Sequence, residues 1–406
     1  MLKKLSLAAL VAMGSMSFAS ASTDLSDAIK GVTIGGYLRY RYTEDNEKYY
    51  EDNKKDSDYG KMMYDNYTTN EYKAVVKTSI KASDTVSIHG TFVYKNKFNS
   101  NNTGNANNKQ DNQAKAFNVT ETYINYVNAG ANVKAGTMNL ATPLSDHDDD
   151  RGNGLLATYT QAGITGAFGY FNDVTNRDGS TTLNNNLAVL AVIADIKSAK
   201  VQGKVQGWYY YLANSGNGNK DGKKALFLEA SADLGAASVK AQYAFAKANA
   251  EDSDAQQFGA IAVTGKVKDV ASVTVAGLKF GKKGSDVAVG TNNADALIAA
   301  GDILSDQIQE NGSGNGTNMT NGYGLALVVK TKVGSFTPGI QLVHATDDEV
   351  EGGAKSSFNE YDADLAYQYN KKLKISGYYA ILKTDVEDSS ADTTQNEGRV
   401  EVKYAF

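Results

Sequence analysis

The sequence predicts an all-β fold: a transmembrane antiparallel β-barrel of about 18 strands, with long external loops and short periplasmic turns. Three observations predict it. Apolar and polar side chains alternate with a period of two from Val32 to the end of the chain. The connections between alternating stretches are by turns short and long. The composition holds 39 glycines, 25 tyrosines and only two prolines at a mean hydropathy of −0.41. Tyrosine at that level suits aromatic girdles, and glycine suits tightly curved strands around a wet interior.

The chain opens with an export signal. Lys3 and Lys4 form a basic start, Leu5 to Phe18 is mostly apolar, and Ala19-Ser20-Ala21 is a small-residue cleavage site. The apolar stretch is shorter than the roughly 18–20 residues that a spanning helix needs. Residues 1–21 therefore read as a secretory signal peptide, and 22–406 as a single barrel domain. No cysteine is present, so no disulfide staples the exported chain. A net charge of −5 and a pI near 5.4 argue against nucleic acid as a partner.

The first strand sets the pattern. In Val32–Tyr42, Ile34, Gly36, Leu38, Tyr40 and Tyr42 share one face, opposite Thr33, Gly35, Tyr37, Arg39 and Arg41. Tyr72, Ala74, Val76, Thr78 and Ile80 then oppose Glu71, Lys73, Val75, Lys77, Ser79 and Lys81, and Val86, Ile88, Gly90, Phe92 and Tyr94 oppose Thr85, Ser87, His89, Thr91, Val93 and Lys95. Near the end, Tyr361, Leu365 and Tyr369 oppose Asp362, Asp364 and Gln368, and Val400, Val402, Tyr404 and Phe406 oppose Arg399, Glu401, Lys403 and Ala405. A soluble half-buried sheet alternates in the same way, so the connections carry more weight. Short turns fall near Ser83, Gly130, Gly163, Ser198, Gly235, Asp269, Gly334 and Asn370. Polar segments rich in Asn, Asp, Gly and Ser fall between them, near 43–66, 97–114, 139–153, 173–184, 213–223, 248–255, 281–322, 347–357 and 384–394. The count is about 18 strands; the weaker periodicity around 115–138 leaves 16 as the alternative. One segment departs from the pattern. Ala294–Gln309 spaces Leu297, Ile298, Ile303, Leu304 and Ile308 as a helix would, and reads as a short helix over the pore mouth or against a neighbouring loop; an irregular loop is the alternative.

In hydrocarbon every backbone polar group must be paired within the protein, and a closed barrel does this without an edge. The apolar face then meets lipid and the polar face encloses water. Within that lumen the strongest constellation is the loop of about 139–153. It carries Asp146, Asp148, Asp149 and Asp150, four carboxylates in five residues, which need water, cations or a metal ion beside them. The inward sides of strands near the barrel closure supply Arg39, Arg41, Lys73, Lys77, Lys81, Lys374, Arg399 and Lys403. An acidic loop folded across from this basic wall makes a charged constriction, whose transverse field sorts ions and orients dipolar solutes. Asp146 and Asp150, with Asp173 and Asp178 from the next external loop, are a candidate Ca²⁺ site, although the turn glycine and closing glutamate of an EF-hand are missing; a solvated acidic loop is the alternative. Catalysis has no support. His89, His147 and His344 are scattered, and there is no nucleophile elbow, zinc motif or phosphate-binding loop. Trp208, among Tyr209, Tyr210 and Tyr211, faces inward with Tyr210, either as part of an interface girdle or as an aromatic contact for a solute.

The leader and first strand, Asp24 to Tyr42, with Asp27-Ala28-Ile29-Lys30 running into Gly36-Tyr37-Leu38-Arg39-Tyr40-Arg41-Tyr42, resemble the mature start of the Campylobacter-type (epsilonproteobacterial) major outer membrane porins. Gly136-Thr137-Met138-Asn139-Leu140, followed by Ser145-Asp146 and Asp150, resembles that family's run into its constriction loop, and Val400 to Phe406 resembles its closing strand. The resemblance implies an 18-stranded trimeric porin that passes small hydrophilic solutes, prefers cations and binds calcium near the constriction. Arg39 and Arg41 match the first-strand arginines, and Asp150 matches the third-loop acidic residue placed to bind calcium. Three consecutive aspartates followed by Arg151 depart from the family's pattern, which has fewer charges and a glycine there. The expected protein is a homotrimer in the outer membrane of a Gram-negative cell, surrounded by lipid and lipopolysaccharide. It works by passive diffusion, with no cofactor required and Ca²⁺ as a candidate ligand. The alternative function is that of an adhesin or structural surface barrel.

Overall fold

The computed structural model describes residues 31–50, 62–101, 117–176, 185–198, 201–213, 222–249, 253–268, 270–290, 294–298, 301–304, 319–348, 355–387 and 392–406. The expected signal peptide, Asp178, and 299–300 and 305–309 of the expected helix lie outside these residues.

Eighteen strands follow one another. They are β1 (Val32–Tyr50), β2 (Met62–Lys81), β3 (Val86–Asn101), β4 (Asn118–Asn128), β5 (Ala131–Asn139), β6 (Asp150–Gln161), β7 (Ile164–Asn176), β8 (Asn186–Lys197) and β9 (Gln202–Ala213). The second half continues with β10 (Lys223–Asp233), β11 (Ala237–Ala248), β12 (Ala255–Val267), β13 (Ala271–Phe280), β14 (Tyr323–Thr331), β15 (Phe336–Asp347), β16 (Ser356–Gln368), β17 (Leu373–Val386) and β18 (Thr393–Ala405). Each strand pairs antiparallel with its sequence neighbours, and β18 pairs with β1, so the sheet closes without an edge. The weak stretch around 115–138 forms β4 and β5, which settles the count at 18. Short connections separate the strands at all eight expected places, with Asp269 itself outside the described residues.

The outer face is apolar. Ile34, Leu38, Val192, Ile261, Leu325, Leu365 and Val400 are exposed, as side chains that meet hydrocarbon must be. Outward aromatics stand near both rims: Tyr126, Tyr159, Phe336 and Tyr404 on the turn side, Tyr209, Tyr211 and Tyr323 on the loop side. No helix among the described residues is long and apolar enough to cross a membrane; the strands cross it.

Two expectations are corrected. The sequence predicts the first long loop at 43–66, yet β1 and β2 stay paired out to Tyr50 and Met62. Strands of 19 and 20 residues exceed the roughly 9–11 needed to span. From Thr43 to Lys48 the β1 part of the extension is polar at every position, so its sequence resembles a loop although its backbone continues the ladder. The helix expected over Ala294–Gln309 does not begin at Ala294: 294–298 and 301–303 form turns and bends, and Leu304 is the first helical residue, with 305–309 outside the described residues. Side-chain acceptors and one backbone conformation hold the segment before Leu304 out of a helix, and the first amides of a helix are free to meet such acceptors. Glu360 takes Ile303 N–H and Leu304 N–H, each at 2.7 Å, and Gln242 takes Ile298 N–H at 2.7 Å. Gly301 sits at φ 88°, a left-handed conformation that interrupts a right-handed helix.

The inner face differs around the circumference. From β8 to β17, its loop-side half is apolar: Leu187, Val189, Tyr210, Phe227, Ala244, Phe258, Leu278, Ala326, Val343, Phe358 and Leu382 all point inward and are buried. Two loops cover them. Leu140 and Leu144 come from the β5–β6 connection, and Val287, Val289, Leu297, Ile303, Leu304 and Met319 from the long β13–β14 connection. The barrel thus holds a hydrophobic core within its lumen, against one side of its wall.

Candidate pore constriction

The β5–β6 loop is built by its own acidic residues. Asp146 accepts the amides of Asp148 and Asp149 at 2.7 and 2.8 Å, the short-range turn that aspartate side chains favour. Asp150 is fully buried and accepts Asp146 N–H at 2.7 Å. Gly290 from the long loop lies against this carboxylate, and a Cβ there would meet Asp150 Oδ2 at 1.6 Å. Ser145 and Thr142 bond to each other at 2.9 Å and complete the turn. The repulsion expected among four carboxylates is thereby reduced, because Asp146 and Asp150 turn towards backbone N–H groups and away from one another. Asp148, with its side chain 72% exposed, reaches the opposite wall, 3.8 Å from Lys73 Nζ.

The two loops are joined. Val289 N–H donates to Leu144 O at 2.8 Å, and His147 N–H donates to Asp295 Oδ2 at 2.7 Å. Burial and the backbone carry opposite influences on Asp295; burial is the larger, and its pKa is raised. The far end of the long loop is tied to β15 and β16 by Gln341, which donates to Asp302 Oδ2 at 3.3 Å, and by the Glu360 bonds. A Cβ on Gly301 would meet Glu360 Oε2 at 2.4 Å, so this close approach also requires glycine. Asp302 is pushed up to about 6 by burial, then by the charges of Asp364 and Glu360, with Arg399 and Lys330 opposing.

The wall facing these loops runs from β15 through β18 and β1 to β3. Its register brings the predicted basic residues onto adjacent strands, with Arg39 opposite both Lys73 and Lys403. Carboxylates are interleaved with them. Arg39 bonds to Glu71 and stands 3.8 Å from Glu401, and Arg41 bonds to Glu401 at 2.8 Å. Lys95 lies 3.4 Å from Glu71. Arg399 pairs with Glu397 at 2.7 Å and lies over the Tyr378 ring. Lys374 lines one cleft with Arg41, Arg399, Glu401, Asp364 and Lys330. Lys403 sits over the Tyr37 ring at 4.4 Å. Lys77 is exposed further towards the turn side, opposite Gly35 and Thr91. Lys81 is not brought to the others; it pairs with Asp84 at 2.9 Å in the turn, about 27 Å along the strand from Lys73.

Sequence reasoning assigned the wall's basic residues and passed over Glu71, Glu397 and Glu401, which share the same inward face. The signal was available: closing β18 onto β1 sets Arg41 opposite Glu401. Arg151, which follows the aspartates, is buried and reaches Glu121 at 3.4 Å, just before a bulge between Asn153 and Gly154. Among the described residues no group of three or more His, Asp or Glu side chains is placed to hold a metal ion. Of the candidate calcium ligands, Asp146 and Asp150 serve the loop's own amides, Asp173 lies on β7 opposite Asn153, and Asp178 is outside the described residues.

Comparison with known proteins agrees with this architecture. The barrel is similar to Pseudomonas aeruginosa OccK7 (OpdD), with a TM-score of 0.65 and 13% identity over 92% of this chain and 99% of that one. It is also similar to the outer membrane protein opdK of Pseudomonas aeruginosa, with a TM-score of 0.64 and 12% identity over 92% and 99%. Acinetobacter baumannii OccAB4 gives 0.61 and 11% over 91% and 98%. At these identities the likeness is one of fold. No curated protein matches the chain. The family model described as Campylobacter major outer membrane protein matches residues 1–171, which bears out the resemblance seen in the first strand and third loop. The chain is a closed 18-stranded antiparallel β-barrel whose first 171 residues are similar to the Campylobacter major outer membrane proteins.

Proposed function

We propose that this barrel is a diffusion porin. It passes ions and small hydrophilic solutes through a water-filled passage between the inserted loops and the charged wall, prefers cations, and carries out no covalent chemistry. The observation that carries the reading is the unequal filling of the lumen. Apolar loops pack one side, while the β16–β3 side keeps arginines, lysines and carboxylates that only water or a polar solute can face. Cation preference is supported by the pairing on that wall, where Glu71, Glu397 and Glu401 offset the arginines, and by the exposed Asp148 across from it. The apolar outer belt fits a barrel surrounded by lipid, and by other copies of itself in a homotrimer.

Conductance of the purified protein in a planar bilayer tests this. Stepwise openings are expected, with a reversal potential in asymmetric KCl of the sign given by cation flow. A bilayer that stays silent would refute the porin; an anionic reversal potential would refute the preference. Crosslinking in outer membranes, expected to yield a trimer, tests the assembly.

A further inference from the structure

Below the inserted loops the inner wall of β9–β11 becomes polar and lines a cavity of about 390 Å³ that is open to the lumen. Its walls include Trp208, Lys204, Lys240, His147, Asp295 and Leu297. It continues into a second cavity of about 440 Å³ that shares Lys240, Leu297 and Ile298. Such volumes are those of small-ligand sites.

The charges in the first cavity are separated by sign. On the wall, Lys204 and Lys240 share one carboxylate, Glu229, at 3.7 and 3.6 Å. Glu229 is buried and also accepts from Gln206 at 2.9 Å and Gln242 at 2.7 Å. Two ammonium groups around one saturated carboxylate leave that side with one net positive charge. Both lysine side chains are a little under half exposed, at 41% and 46%, so they present N–H groups to the cavity. On the loop side, Asp295 supplies a negative charge. His147 holds it by the backbone, and His147 Nε2 lies 2.8 Å from Thr142 O, which makes that nitrogen the donor.

Trp208 completes the cavity. Its indole N–H donates to Gln206 Oε1 at 3.0 Å, and its ring stacks with Tyr210 at 6.3 Å and 14°. The ring is thus fixed in orientation and half-buried, with Leu297 and Ile298 beside it. A cationic edge, an anionic edge and an aromatic floor together match one class of small molecule.

We propose that this cavity is a solute subsite for a zwitterion with an apolar body, such as an amino acid with an aromatic side chain. The carboxylate faces Lys204 and Lys240, the ammonium faces Asp295, and the side chain lies against Trp208. An anion alone leaves Asp295 uncompensated, and a cation alone meets the net positive lysine edge. The subsite rests on the porin reading for its purpose, because only a permeating solute reaches it.

Trp208 is the only tryptophan in the chain, so its fluorescence reports this cavity directly. The full-length barrel in detergent, excited where tyrosine does not absorb, is titrated with L-phenylalanine, 3-phenylpropanoate and 2-phenylethylamine. Phenylalanine is expected to give a saturable change at the lowest concentration of the three. The paired variant Lys204→Gln and Lys240→Gln weakens it by about tenfold, the scale of a lost charge-assisted hydrogen bond. Asp295→Asn abolishes the preference for phenylalanine over phenylpropanoate. Variants are compared only where unboiled samples keep the folded barrel's gel mobility; if the paired variant fails that check, the ranking of the three probes on the unaltered protein decides. No saturable change with phenylalanine, an equal response to all three probes, or folded variants that bind unchanged would each overturn the proposal. Conductance of the same preparation separates the two readings: a conducting barrel that ignores phenylalanine loses the subsite, and a binding barrel that never conducts loses the porin.

Discussion

Two arcs of the same barrel wall solve different problems. From β8 to β15 the loop-side half of the inner face carries Leu187, Phe227, Phe258, Leu278 and Val343, and it is covered by loops. From β16 through β18 to β3 the inner face carries Asp362, Asp364, Arg399, Glu401, Arg41, Glu71 and Lys73, with Phe358 and Leu382 at the loop-side edge of β16 and β17 as the last of the packed residues. Both arcs have an apolar outer face. The difference lies inside, and it shows how a barrel narrows its passage: loops dock where the inner wall is apolar, and water stays where it is charged. Hydrophobic burial of about 25 cal/mol per Å² holds the loops to the first arc, and the unfavourable desolvation of charged groups keeps them off the second.

The sharpest way to break this contrast is to charge the packed arc. Leu144 is fully buried against it, and Leu144→Asp places an unpaired carboxylate in that core. The expected effect is several kcal/mol, or release of the loop. It is read as lost heat resistance of the folded band on gels, with larger conductance from the molecules that still insert. A smaller effect is expected at the junction of the arcs. Glu360→Ala removes the acceptor for Ile303 and Leu304 N–H, and bonds to a charged group are worth about 1.5–3 kcal/mol each. Noisier single-channel currents with frequent transitions between levels should follow, because one end of the long loop is released.

Acidity sharpens the comparison without a mutation. Asp302 lies where the loop meets the charged arc, and its carboxyl titrates at about 6, above the ordinary range. It is charged above that pH and neutral below it. Cation preference should therefore weaken as the solution passes from about pH 7.5 to about pH 5, and Asp302→Asn should flatten that part of the profile, as measured by reversal potentials. The smallest effect is expected from Asp148→Asn. Its contact with Lys73 at 3.8 Å is long, and its side chain is 72% exposed, so water takes its place readily. Stability should hardly change, while the reversal potential moves slightly towards anions.

The strands and turns were legible because alternation and turn residues are local. The examples that carried the prediction came from β1, β2, β3, β16 and β18, all in the charged arc, where the two faces contrast. In β8, Leu187, Val189 and Ala191 point inward while Leu190 and Val192 point outward. Both faces are apolar there, and the alternation is lost. That loss was itself a signal that something apolar fills the lumen beside those strands. The contact of the long loop with a neighbouring loop is an expectation that Asp295 and Ala296 meet, but its seat on the β8–β17 wall was not legible, because Val287, Leu297, Ile303 and Met319 are scattered among polar residues and their partners lie on strands far away in sequence. The acidic loop was found, yet the roles of its residues were not. Whether an aspartate caps its own turn, as Asp146 does, or faces the passage, as Asp148 does, depends on backbone geometry that spacing alone does not fix. The β1–β2 extension was read as loop because alternation marks only the part of a strand that has an oily side and a wet side.

The interior core has a consequence for how the barrel breathes. In the packed arc, the main-chain ladder lies between lipid on one side and docked loops on the other, so solvent reaches it only when a loop lifts. In the charged arc, the same kind of ladder is bathed from within. Deuterium should therefore enter the amides of β1–β3 long before those at the loop-side ends of β9–β13, although every one of these strands is equally part of a closed ring.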